Sequence, residues 1–206
     1  MKLNRVKIFS ATGVVLALAL AAGSAYALKL PPFEERGEIR AEDVCASLGN
    51  ASRAATALAD VLPEKSSYSF RDYATDLRTD ELDNSYQTAC FVHGDGEQLL
   101  VAQAEMLEYD TTESWQKEAV EQFVPASSLL PFDAGDKAVA SDRVAGIYVP
   151  CASRGVRRHL SVVVQLKKQS DASASELRAR LIDLAENAAV YAHTKAKCDM
   201  PSKVDR

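Results

Sequence analysis

Hydrophobic and polar positions follow three patterns along this chain. The first is an unbroken apolar run. No charged residue occurs from position 8 to position 28, and Lys2, Arg5 and Lys7 precede the run. As a helix its 21 residues reach about 31 Å, enough to cross a hydrocarbon core. The second pattern is helical. Val44, Leu48, Ala51, Ala55, Leu58 and Leu62 form one apolar face over residues 42–62, which Gly49-Asn50 interrupts and Pro63 ends. Trp115, Ala119 and Phe123 mark a helix over 111–124, capped by Asp110 or Thr111. Leu177, Leu181, Leu184, Ala188 and Tyr191 mark another over 173–197, opened by a Ser173/Glu176 capping box.

The third pattern belongs to strands. Residues 86–93 and 98–109 flank Gly94-Asp95-Gly96 and predict a hairpin, because glycine supplies the positive φ of a tight turn. Residues 136–141, 143–151 and 158–168 predict a three-stranded meander, with Val162-Val163-Val164 its strongest β run. Residues 64–84 are polar and aperiodic, with Tyr68, Phe70 and Tyr73 as anchors. They read as a long surface loop, or else as a binding loop. Strands in groups, separated by helices, define an α+β fold. The expectation is an antiparallel sheet of about five strands covered by helices, preceded by a single N-terminal hydrophobic helix. The divisions are 1–28 (signal-anchor or signal peptide), 29–40 (tether with Pro31-Pro32), 41–198 (exported domain) and 199–206 (disordered tail).

The apolar run sets the compartment. Its basic side stays in the cytoplasm, so the rest of the chain is extracytoplasmic. Retained, the run is a single-pass anchor with the N-terminus inside. The alternative is secretion after cleavage following Ala27, at Ala25-Tyr26-Ala27. The chain has 24 basic and 29 acidic residues; without residues 1–27 and their three basic ones, 21 and 29 remain, a net charge of −8. That balance argues against a nucleic-acid partner. Four cysteines, Cys45, Cys90, Cys151 and Cys198, with no C-x-x-C, suggest two disulfides in such a compartment.

Glu42-Asp43-Val44-Cys45-Ala46-Ser47-Leu48-Gly49 and Thr88-Ala89-Cys90-Phe91, with Gly135-Asp136-Lys137-Ala138, carry a resemblance over about residues 42–198. It is to an actinobacterial family of secreted and lipid-anchored proteins of unknown function, whose domain looks like the PsbP-like α/β/α sandwich. The resemblance implies that Cys45, opening the first helix, pairs with Cys90 in the first strand. This chain departs from the family in lacking a lipid-attachment cysteine and in having Phe91 where a tryptophan follows the strand cysteine. No catalytic residue comes with the family. Architecture supports the second pair, Cys151–Cys198, since the last helix returns over the sheet in which Cys151 ends a strand. The rival connectivity is Cys90–Cys151 with Cys45–Cys198.

Candidate chemistry is sparse. His93, His159 and His193 show no H-x-x-x-H spacing, and no G-x-S-x-G occurs. The chain therefore reads as a noncatalytic binding or scaffolding domain with no cofactor and no metal. The alternative is a wall-directed hydrolase with an unrecognised carboxylate site. Trp115 is a core residue or a ligand platform. Arg154, Arg157, Arg158 and His159 gather around one turn. They are either a solvated hairpin end or a candidate anion-binding patch for a wall polymer or lipid headgroup. A surface protein is the further partner class, and the membrane is reached through the N-terminal helix.

Overall fold

The computed structural model describes residues 36–76, 85–108, 111–153 and 156–204, and residues 37–206 form one compact unit. The hydrophobic segment 1–28 and most of the tether 29–40 lie outside the described residues. Among the described residues no helix is long and apolar enough to cross a membrane.

A 3₁₀ turn, Ala46–Leu48, leads through Gly49 at φ +79° into helix α1, Ala51–Val61. The Asn50 side chain caps α1 by accepting from Arg53 N. Then come β1 (Tyr68–Asp76), β2 (Gln87–Gly94) and β3 (Glu97–Glu108). Helix α2 (Thr112–Trp115) runs on into a π-helical turn, Gln116–Val120. Strands β4 (Leu130–Pro131), β5 (Lys137–Ala140), β6 (Val144–Ser153) and β7 (Val156–Leu166) precede α3 (Ala174–Lys195). Ser173 and Glu176 form the expected capping box on α3.

The fold is α+β, but its antiparallel sheet has seven strands rather than five, in the order β1-β2-β3-β7-β6-β5-β4. Hairpin and meander join through β3 and β7, with Leu100 opposite Leu166 and Glu108 opposite Arg158. The two extra strands lie at the edges. β4 is short and holds Pro131, which an edge position tolerates.

β1 corrects the reading of 64–84 as a loop; residues 77–84 lie outside the described residues. It was missed because its polarity hides a period of two, with Tyr68 and Phe70 packed against the core and Ser69, Arg71 and Tyr73 pointing away. Two side-chain anchors hold it. Asp72 accepts from the backbone and hydroxyl of Ser47. Asp95, in the two-residue β2–β3 turn, accepts from Ser66 and Ser67. The Ser66 hydroxyl leads the contacts that hold the Asp95 carboxyl below the usual range. Positive φ at Asp95 and Gly96 gives this turn the twist a hairpin needs.

α1 and α3 lie together on one face of the sheet. Leu58, Val61, Leu160, Val162, Leu181 and Leu184 are among the residues fully buried between the layers. Small residues (Ala54, Ala57, Ala185, Ala188) let the helices approach each other and the strands. On the opposite face a smaller core gathers Trp115, Val120, Val124, Val139, Val144, Tyr148 and Val163. Gly146 makes room for it, since a Cβ there would stand 2.8 Å from Val120 and 3.2 Å from Trp115.

Two disulfides tie helical ends to strands. Cys45–Cys90 joins the first turn to β2, with Cα atoms 5.9 Å apart, and Cys151–Cys198 joins β6 to the chain just past α3, at 4.7 Å. They fit an oxidising, extracytoplasmic environment.

Residues 199–204 make contacts with the domain. His193 Nε2 lies 2.7 Å from the Met200 carbonyl, Gly135 N donates to Lys203 O at 2.8 Å, and Val204 packs against the core. The bond at Cys198 delivers the tail to the sheet, where its polar groups find partners.

Candidate functional site

Alternation along β2 and β3 builds two unlike faces from one set of residues. Thr88, Cys90 and Val92 of β2, with Leu100, Ala102, Ala104 and Met106 of β3, face the helices. The intervening residues face the other way. Over β6 and β7 that second face is covered by the Trp115–Val124 segment. Over β1, β2 and β3 the described residues leave a depression of about 490 Å³.

Ala89 is the floor of the depression. It pairs with Tyr73 on one side and Gln103 on the other, while Phe91 pairs with Arg71 and Val101. A small residue between larger neighbours makes a hollow without a gap in the backbone. Tyr73 is 50% exposed, and its ring meets that of Phe91 edge to face at 5.6 Å. Gln87, Gln98 and Gln103 complete the lining with Arg71 and His93. The amides of these three glutamines make no side-chain hydrogen bond to another described residue. Gln116, Gln122 and Gln169 elsewhere each donate from their amide nitrogen. The face thus presents ring surface, unengaged amides and the Arg71 guanidinium together.

Arg154 lies outside the described residues, and the Arg157 backbone is in β7. Arg158 and His159 are consecutive in that strand and so point to opposite faces. Arg158 pairs with Cys151, whose side chain faces α3. His159 stacks on Tyr148 at 4.0 Å, beside the smaller core, and its Nε2 lies 3.2 Å from Asp136 Oδ2. Asp136 also accepts from Lys203 Nζ at 2.6 Å. Burial pushes the Asp136 carboxyl up, but Lys203 and His159 together outweigh it and hold it below the usual range. Trp115 is buried, donating from Nε1 to Ser161 Oγ at 2.9 Å, so it fills the core.

Among the described residues no group of three or more His, Cys, Asp or Glu is placed to hold a metal ion. The rings and amides of the β1–β3 face can stack on and hydrogen-bond a ligand. Sequence reasoning missed this surface because Tyr73 was placed in a loop. The signal that finds it is the alternation of Tyr68 and Phe70 with Ser69, Arg71 and Tyr73.

Fold and face together define a disulfide-braced antiparallel α+β domain with one sheet face left half open by the described residues. Comparison with known protein families, curated proteins and solved structures finds no match.

Proposed function

We propose that this chain is a noncatalytic binding or scaffolding domain at the extracytoplasmic face of the membrane, held there by its N-terminal segment, and that the open face of β1–β3 is its binding surface. The observation that carries the reading is a sheet face that the described residues leave open beside a half-exposed tyrosine and three glutamine amides. Exposed aromatic groups rimmed by polar ones mark interaction sites more often than solvated faces do. The two disulfides support the compartment.

Surface cross-linking on intact cells tests the reading. The wild-type chain is expected to capture a defined set of partners, and the Tyr73→Ser/Phe91→Ser variant to lose it. Identical capture by both would remove the face from the function. Intact-mass analysis of the membrane-extracted protein tests the tether, and a mature species beginning at Leu28 would overturn it.

A further inference from the structure

Resting on that reading of the β1–β3 face, we propose that its ligand is a chain of neutral, β-linked pyranose sugars. Three observations converge. The first is charge. The domain carries a net −8 without residues 1–27, and among the described residues this face holds one arginine, Arg71, and one glutamate, Glu105, of opposite sign. Such a balance neither draws a polyanion nor selects a polycation.

The second is the ring pair. An edge-to-face contact at 82° occupies one face of one ring, so the pair itself leaves the other ring faces uncovered. Pyranoses with equatorial substituents have flat faces of axial C–H groups, and aromatic rings take such apolar faces while tolerating hydroxyls at the rim.

The third is the amides. Gln87, Gln98 and Gln103 each offer one acceptor and two donors around the Ala89 floor. A ring of vicinal hydroxyls needs both kinds. A lipid chain or an apolar helix would bury these amides without partners, at about 1–3 kcal/mol for each group left unsatisfied. The depression of about 490 Å³ falls in the range of small-ligand sites.

The test uses the full chain in a zwitterionic detergent, because sugar-headed detergents would compete. Cellohexaose and chitohexaose are the probes, and dextran sulfate is the anionic comparison. Binding is read by calorimetry and by the side-chain amide signals of the glutamines in nitrogen-15 NMR spectra. At least one hexaose is expected to shift the signals of Gln87 and Gln103. Tyr73→Ala and Gln103→Leu should each weaken that binding about 10-fold or more, equivalent to about 1.4 kcal/mol. Arg71→Gln, or a rise from about 50 to about 500 mM salt, should change it less than about 2-fold. Tyr73 and Gln103 are exposed, so near-UV circular dichroism is expected to stay native in both variants.

Failure of both hexaoses to shift the amides overturns the sugar assignment, as does binding that ignores Tyr73→Ala. If dextran sulfate shifts the amides instead, with strong salt dependence and loss in Arg71→Gln, the binding face stands and its ligand class is anionic. If no probe reaches the face and the cross-linked partners survive the Tyr73→Ser/Phe91→Ser change, both readings fall.

Discussion

Replacing each disulfide by a pair of alanines separates the covalent frame from the rest of the fold. The sequence separations are 45 and 47 residues, so the two closed loops are nearly equal. Loop-closure entropy then assigns about 4 kcal/mol to each bond through the unfolded chain. The loops follow one another along the chain without nesting or overlapping, so the two contributions add, to about 8 kcal/mol. A domain of this size has about 5–15 kcal/mol in total. Either double-alanine variant should therefore fold with its denaturant midpoint well below wild type, and the four-alanine variant should be marginal or unfolded. Cys45 and Cys90 are both buried, and the cavity left by their sulfurs should make that pair the costlier by about 1 kcal/mol or more. The assay is equilibrium urea unfolding with the slope left free, since releasing a cross-link exposes more surface in the unfolded state. A four-alanine protein that unfolds cooperatively after losing less than about 3 kcal/mol would refute the reasoning.

Gly49→Ala should cost about 2–3 kcal/mol, because the residue sits at φ +79° and a Cβ would overlap the Asn187 carbonyl oxygen of α3. Gly96→Ala, at φ +80° in open space, should cost only about 1 kcal/mol, and denaturation of the two variants side by side isolates the close approach. Ser161→Ala should cost about 1–3 kcal/mol by leaving the buried Trp115 indole N–H without its acceptor, and thermal unfolding measures this. Burial pushes the Tyr86 phenol up to about 12. The protonated form is thus favoured in the fold. The associated stability is fully present below the unfolded value near 10 and is lost as pH rises from there toward 12, by about 3 kcal/mol. Tyr86→Phe should flatten this part of the stability–pH curve, and an ordinary alkaline titration of wild-type Tyr86 at 295 nm would contradict the prediction.

Local pattern along the chain was enough to place α1, α3, the β2–β3 hairpin and the β5–β7 meander. Their signals are short-range: apolar spacing, the Ser173/Glu176 box, the glycine turn and the valine run all act within a few residues. The α+β class followed from the order of those elements. What the sequence could not settle depends on neighbours far along the chain. β1 is a strand because β2 and two side-chain anchors, Asp72 and Asp95, hold a polar stretch in register; without that edge it reads as a loop. Arg158 and His159 are adjacent on paper, yet a strand sends consecutive side chains to opposite faces. The open face combines residues from three strands. Tyr73, Ala89, Phe91 and Gln103 become neighbours only through sheet register. Their exposure depends on a covering segment that, among the described residues, lies over β6 and β7. Periodicity gives each strand its two faces, but which face stays open is decided by how far the next layer reaches.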